Sequence, residues 1–116
     1  MSKRSVSLLI QDICEAMEKI NRYREGLDHD RFISDEKTVD AVVRNLEIMG
    51  EAANRLPKDF LDEHREIEWN KMAGLRHRIV HEYFGIDLEI IWSILENDLP
   101  VFWSSLQDLR QRIIPG

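Results

Sequence analysis

Apolar residues recur at intervals of three and four along most of the chain, the pattern of amphipathic helices. The first stripe predicts a helix from about residue 5 to about residue 25. Its apolar positions are Val6, Leu9, Ile10, Ile13, Met17 and Ile20. A second stripe predicts a helix that begins at an N-cap on Ser34, with Asp35 and Glu36 in its first turn. This second helix should stop before Pro57.

The second half of the chain predicts two more helices and a short helical segment. Between residues 57 and 68 the pattern is less regular, and Phe60 and Leu61 indicate only a short helical turn. A third helix is predicted from about residue 69 to about residue 83, ending at Gly85. Asp87 can cap a fourth helix that runs to the C-terminus. Pro100 lies within that helix and should kink it near residues 96 and 97, because proline lacks a backbone donor.

These elements predict an all-α fold, since no segment alternates apolar and polar residues with a period of two. The length of 116 residues suits a single domain spanning residues 1–116. Trp92 falls on the apolar stripe of the fourth helix and is predicted to lie in the core. Trp103 lies beside that stripe, which favours a place at an interface. A small bundle with spare large apolar residues often dimerises, so we expect a homodimer.

Charge and composition disfavour a protein that binds long nucleic acids over a broad surface, and also a disulfide-bonded, secreted or membrane protein. The formal net charge is −6, which disfavours a broad basic face for long nucleic acids. Any nucleic-acid contact should therefore be local, or be built by pairing two chains. The single cysteine, Cys14, excludes an intrachain disulfide and is expected to be buried on a helix. No apolar run suits a signal peptide or a membrane span, so we expect a cytoplasmic protein.

The segment RHRIVHEYFG, residues 76–85, gathers two arginines, two histidines and a tyrosine. On an ideal helical wheel Arg76 falls within the apolar arc formed by Met72, Leu75, Ile79, Val80 and Tyr83. A buried arginine needs a partner or a cleft. It could pair with Glu47 or Glu51 of the second helix, or face a pocket and hold an anion such as phosphate.

His77 and His81 lie on the other side of the wheel, one turn apart. Their spacing can bind a metal, but no third ligand stands out and no metal site is expected. Each could be an ordinary exposed histidine or a general acid–base group. With an arginine they would suit phosphodiester chemistry. The wheel separates Arg76 from His81 by about 140°. They could converge only through the reach of arginine, a distorted turn, or a cleft shared by two chains.

Four stretches together resemble the HepT-type toxins of the HEPN superfamily of small α-helical ribonucleases. The stretch GLRHRIVHEYFGID (74–87) resembles their motif of arginine, a polar residue, histidine and tyrosine, which here would be Arg76, His77, His81 and Tyr83. The stretches AVVRNLEIMGEAANRLP, EWNKMAGLRHR and IWSILENDLPVF resemble the helices that surround it. Where many members have asparagine or aspartate after the arginine, this chain has His77.

The resemblance implies an antiparallel four-helix bundle that forms a homodimer, with two Arg76/His81 sites facing a shared cleft. It implies metal-independent cleavage of RNA, without a cofactor, in which Arg76 stabilises the phosphate, His81 transfers protons and His77 assists. It also implies a minimal nucleotidyltransferase antitoxin, similar to MntA, that transfers AMP onto Tyr83. The alternative is a non-catalytic nucleotide-binding or regulatory subunit of a nucleotidyltransferase complex, which the negative charge favours.

Overall fold

Helices account for most of the computed structural model, which describes residues 4–80 and 85–113. In chain order the described helices are α1 (Val6–Tyr23), α2 (His29–Ser34), α3 (Glu36–Arg55), α4 (Lys58–Glu63), α5 (Trp69–Ala73), α6 (Leu75–Ile79), α7 (Leu88–Ser93), a π-helical turn (Ile94–Asp98) and α8 (Leu99–Ile113). The all-α prediction is confirmed. Across the described residues, no helix is both long and apolar enough to cross a membrane.

The two long N-terminal helices follow the predicted stripes closely. Ser5 caps α1, because its side chain accepts a hydrogen bond from the backbone N–H of Leu8 at 3.3 Å. The cap predicted on Ser34 is wrong, since Asp35 caps α3 and accepts from the N–H of Thr38 at 3.1 Å. Ser34 instead closes the short helix α2, which the sequence pattern did not predict. Helix α3 ends at Arg55, before Pro57, as predicted.

A single cluster of buried apolar side chains joins these helices. Helices α1 and α3 contribute half of it, and α5 to α8 cover the remaining faces. Cys14 is fully buried in this core, as predicted, and burial raises the pKa of its thiol. The largest fully buried side chains are Phe32, Phe102, Ile10, Ile13, Met17, Ile20, Leu46, Met49, Met72, Leu75, Ile79 and Ile91.

The third predicted helix is not continuous. Gly74 separates α5 from α6, and α6 ends at Ile79. Val80 is extended and forms an antiparallel bridge with Ile86, while the N–H of Asp87 donates to the carbonyl of Ile79 at 3.1 Å. The prediction of one helix that runs from residue 69 to residue 83 is therefore wrong. Glycine weakens a helix interior, and a β-branched valine suits the extended backbone that follows.

The last helix begins and continues as predicted, with one irregularity. Asp87 caps α7 by accepting from the N–H groups of Glu89 and Ile90 at 3.1 and 3.2 Å. The N–H of Leu99 bonds to the carbonyl of Ile94, five residues back, in a π-helical turn. Because Pro100 has no N–H, the local ladder is disturbed at the place that the sequence predicted.

Trp92 was predicted to be a core residue, but it is only half-buried. Its ring contacts Phe32 and His29 at centroid distances of 5.6 Å, and the Arg24 guanidinium lies over it at 5.2 Å. The indole covers the edge of the core and presents its face to cations. Trp103 is also half-buried, and its place at an interface remains a prediction.

A histidine bridge between α2 and α7 should make stability depend on pH. Nε2 of His29 lies 2.9 Å from the Glu89 carboxylate, and Nδ1 lies 3.2 Å from that of Asp30. Hydrogen bonding, chiefly to Glu89, raises the pKa of His29. The protonated ring can donate to both acids, so its stabilisation is complete below the ordinary pKa of 6.5 and disappears as pH rises through the higher folded pKa.

We therefore expect His29→Gln to lower the free energy of unfolding more at about pH 6 than at about pH 9. Urea unfolding of wild type and variant at both pH values measures this difference. A loss that is equal at the two pH values would contradict the assignment.

Candidate active site

Helix α6 carries three cationic or titratable side chains between two buried anchors. Leu75 and Ile79 are fully buried, whereas Arg76 and His77 between them are exposed and Arg78 is half-buried. The placement of Arg76 on a buried arc was therefore wrong. The wheel assumed an unbroken helix from Met72, whereas the helix restarts at Leu75 and turns the next two residues outward.

Arg76 faces a cleft of about 390 Å³ between α6 and the C-terminal half of α3. We call this the Arg76 cleft, and its lining residues are Glu47, Gly50, Glu51, Asn54, Arg55, Ala73 and Arg76. The five lining residues of α3 are spaced three, one, three and one apart, so they form one face of that helix. The cleft is thus polar on its walls and carries charges of both signs.

The ion pair considered for Arg76 does not form within the described part of the chain. Glu51 pairs instead with Arg55 of the same helix, at 2.7 Å. No carboxylate of residues 4–80 or 85–113 lies within 4.0 Å of the Arg76 guanidinium. The second hypothesis, an arginine that faces a cleft and can hold an anion, therefore fits the geometry better.

Small residues let the two walls of the cleft meet. A Cβ atom placed on Gly50 would lie 3.3 Å from the carbonyl oxygen of Met72 and 3.6 Å from that of Ala73. Asn54 ties the same corner, because its side-chain amide donates to the Ala73 carbonyl at 3.3 Å. Both contacts fix the end of α5 against α3, and so they fix where α6 begins.

An ion pair anchors the other side of α6 to the last helix. Nη1 of Arg78 donates to the carboxylate of Asp98, whose side chain is only 14% exposed. Asp98 is the last residue of the π-helical turn, so that irregular turn determines where its carboxylate points. π-Helical turns are frequently found at functional sites. The helix that carries Arg76 is thus fixed by α3 on one side and by the π-helical turn on the other.

Replacing Asp98 by asparagine should weaken this anchor while keeping the shape of the side chain. We expect about 1 kcal/mol of destabilisation, because Arg78 is itself partly exposed to solvent. The melting temperature should fall by about 4 °C, measured by circular dichroism. Asp108→Asn, at an exposed site on α8, removes the same charge and should leave the melting temperature unchanged. Equal melting temperatures for both variants would show that the ion pair contributes nothing.

The remaining motif residues, His81 and Tyr83, lie outside the described residues. His77 is exposed beside Arg76. The separation of about 140° expected between Arg76 and His81 does not apply, because α6 ends at Ile79 and the wheel requires an unbroken helix. The bridge between Val80 and Ile86 joins the two flanks of the motif segment.

A larger cleft of about 510 Å³ lies near Trp69, and its charged lining residues are Lys58, Asp62, Arg65, Glu68 and Lys71. Two of its cations are already paired, Arg65 with Asp62 at 3.4 Å and Lys71 with Glu68 at 3.2 Å. The Arg76 cleft is the better candidate site because it contains the arginine of the motif, and no motif residue lines the cleft near Trp69.

Sequence reasoning identified Arg76 and the acidic face of α3, but it missed Asn54 and Asp98. Asn54 continues the spacing of Glu47 and Glu51 along α3, and that spacing could have revealed it. Asp98 carries no comparable signal, because its contact with Arg78 depends on the π-helical turn.

Comparisons with known proteins identify the family of the chain. Residues 13–110 match the family described as "Ribonuclease HepT-like". The chain is 42% identical over 100 residues to "Putative RNase MJ0127" of Methanocaldococcus jannaschii, covering 86% of this chain and 83% of that protein. It is 38% identical over 109 residues to "Probable ribonuclease HepT" of Thermococcus cleftensis, covering 94% of this chain and 99% of that one. No solved structure gives a significant match. With most of its length matched, including the helix that carries Arg76, the chain belongs to the HepT-like ribonuclease family.

Proposed function

We propose that this chain is the toxin ribonuclease of a toxin–antitoxin pair, and that it cleaves RNA in the cytoplasm without a metal ion. The observation that carries the proposal is the exposure of Arg76 in a polar cleft of a HepT-like ribonuclease, with the exposed His77 directly after it in the chain. An arginine held this way can bind a phosphate with two parallel hydrogen bonds.

The proposed reaction uses the ribose itself as nucleophile. His81 accepts the proton of the 2′-OH, the O2′–P bond forms, and the P–O5′ bond breaks to leave a cyclic phosphate and a 5′-hydroxyl. Arg76 stabilises the negative charge that develops on the phosphorus oxygens. His77 assists by hydrogen bonding. The leaving oxygen takes a proton from the second copy of the motif, because the proposed homodimer brings two sites to one cleft.

A homodimer would also resolve the conflict between the charge of −6 and an RNA substrate. Pairing two chains would bring two Arg76 side chains to one RNA-binding surface, and neither is paired with a carboxylate of the described residues. Sedimentation velocity of the purified protein tests this step, and a monomer at all concentrations would contradict it.

The proposed partner is a nucleotidyltransferase similar to MntA that neutralises the toxin at Tyr83. The tyrosine oxygen would attack the α-phosphorus of ATP and release pyrophosphate, leaving AMP on the motif. The added negative charge and bulk would oppose binding of RNA phosphate near Arg76. This step lies at a residue outside the described part of the chain and rests on the motif alone.

Intact mass spectrometry tests the modification. Protein co-expressed with the partner and with ATP available should gain one or more AMP units, whereas Tyr83→Phe should gain none. Equal AMP addition to both proteins would show that a residue other than Tyr83 accepts the AMP.

The rival function is that of a nucleotide-binding regulatory subunit without nuclease activity, which the negative charge favours. Expression without the partner separates the two functions. The ribonuclease should arrest growth, and Arg76→Ala should abolish the arrest. Normal growth with wild type at matched expression levels, together with measurable nucleotide binding, would favour the regulatory subunit.

A further inference from the structure

The Arg76 cleft contains a carboxylate that phosphate binding does not explain. Glu47 is half-buried on the wall of the cleft. Its carboxylate makes no ion pair or hydrogen bond with another side chain of residues 4–80 or 85–113. The neighbouring acid, Glu51, is already neutralised by Arg55 at 2.7 Å. Among the described residues, Glu47 and Arg76 are therefore the two charged side chains of the cleft that have no ionic partner and can bind a ligand.

A bare phosphate would be attracted by Arg76 and repelled by Glu47. A ligand with an anion at one end and hydrogen-bond donors at the other would instead satisfy both groups. A nucleotide has this character, since its phosphate is anionic and the edge of its base carries N–H groups. The cleft volume of about 390 Å³ lies within the range of small-molecule sites.

We propose that the Arg76 cleft binds the nucleoside next to the scissile phosphate, and that Glu47 selects guanine at this position. The proposal rests on the proposed ribonuclease function for the placement of the phosphate on Arg76. A carboxylate accepts two parallel hydrogen bonds. Guanine offers two adjacent donors, the ring N1–H and the 2-amino group. Uracil has a single ring N–H on that edge, so it can donate only once.

The floor and far end of the cleft suit a base in an unstacked single strand. Gly50 and Ala73 close the floor of the cleft where α3 meets α5, and neither carries a long side chain that would fill the cleft above it. One N–H of the Asn54 side-chain amide donates to the carbonyl of Ala73, and the Oδ1 atom of Asn54 is a further acceptor in the cleft. Recognition of unstacked bases along their Watson–Crick edge is the usual way in which proteins read RNA sequence.

Titration with mononucleotides tests the site independently of cleavage. Guanosine 3′-monophosphate and uridine 3′-monophosphate are added to the full-length protein, and chemical shifts in its amide NMR spectrum report the two dissociation constants. We expect wild type to bind the guanosine nucleotide about tenfold more tightly, in line with a bidentate contact to a base. Glu47→Gln should bring the two constants close together.

Asp108→Asn is the matched control, because it removes the same charge from an exposed site on α8 and should retain the preference for guanosine. Equal binding of both nucleotides by wild type, or an undiminished preference in Glu47→Gln, would overturn the proposal. Selective binding that Glu47→Gln removes would support the site even if wild type fails to cut RNA. That combination would refute only the ribonuclease function.

Discussion

Arg76→Ala is expected to lower the rate of RNA cleavage by about 10²–10³-fold, measured with purified protein and single-stranded RNA in excess EDTA. The alanine removes the group that is proposed to hold the phosphate and to stabilise the charge of the transition state. Arg76 is exposed and pairs with no carboxylate in the described part of the chain, so its loss should leave the melting temperature unchanged. A fall in rate without a fall in stability would place the effect on chemistry or RNA binding.

His81→Ala should lower the rate by a similar factor, about 10²–10⁴-fold, because it removes the proposed acid–base group. His77→Asn should cost much less, since asparagine keeps a polar side chain at that position. Arg76→Lys distinguishes the effect of the positive charge on the cleavage rate from that of the planar guanidinium group. Lysine keeps the positive charge but lacks the planar fork of donors, so we expect partial activity.

Arg31→Ala is the control for loss of an arginine, because Arg31 is exposed on α2 and lies outside the Arg76 cleft. It should retain the wild-type rate. Equal cleavage by wild type, Arg76→Ala and His81→Ala in EDTA would overturn the catalytic assignment. Loss of wild-type cleavage on adding EDTA would overturn the metal-independent mechanism.

The sequence predicted the long helices well because their stability comes from continuous apolar stripes. The stripes of α1 and α3 run for four turns or more, and burying such a stripe in the core stabilises the whole helix. The end of α3 before Pro57 and the cap on Asp87 are equally local, since each depends on the chemistry of one residue. Information of this kind is present in any short window of sequence.

The geometry around Arg76 could not be predicted in the same way. The apolar spacing of Met72, Leu75 and Ile79 continues across Gly74, although the helix does not. The break is favoured by tertiary contacts, because the carbonyls of Met72 and Ala73 lie against the backbone of α3 at Gly50. The π-helical turn that directs Asp98 to Arg78 is a similar case. Gly74 and Pro100 mark where the two irregularities lie, but the contacts made there, of α5 with Gly50 and of Asp98 with Arg78, join distant segments and do not appear on a wheel of one helix.

The sequence predicted only part of the surroundings of Arg76. The sequence offered Glu47 or Glu51 as an ion-pair partner of Arg76, and in the structure these three residues line one cleft. The sequence left open an ion pair or a pocket, and the pairing of Glu51 with Arg55 favours the pocket. The roles of His81 and Tyr83 remain predictions from the motif.

Gly50→Val is expected to destabilise the protein by about 2–3 kcal/mol, the usual cost of overpacking a filled interior. The Cβ atom alone would meet the Met72 carbonyl at 3.3 Å and that of Ala73 at 3.6 Å, and valine adds two methyl groups beyond it. Those carbonyls belong to the backbone of α5, so they can move only if α5 shifts away from α3. The melting temperature should fall by about 10 °C.

The same shift should reduce RNA cleavage in the molecules that remain folded. Displacing α5 would break the hydrogen bond from Asn54 to the Ala73 carbonyl and move the start of α6, which carries Arg76. The new side chain would also occupy the floor of the Arg76 cleft. Rates measured well below the melting temperature separate this effect from unfolding.

Two variants make the result interpretable. Asp40→Val places valine at an exposed site on α3 and should change stability by only about 0.5 kcal/mol, which measures the effect of helix propensity alone. Gly50→Ala has opposing terms, since alanine favours a helix by about 1 kcal/mol over glycine and the 3.3 Å contact opposes it. The melting temperature of Gly50→Ala should therefore lie between those of wild type and Gly50→Val. A melting temperature for Gly50→Val that matches Asp40→Val would show that α5 does not pack closely on Gly50, and the cleft would then need a different floor.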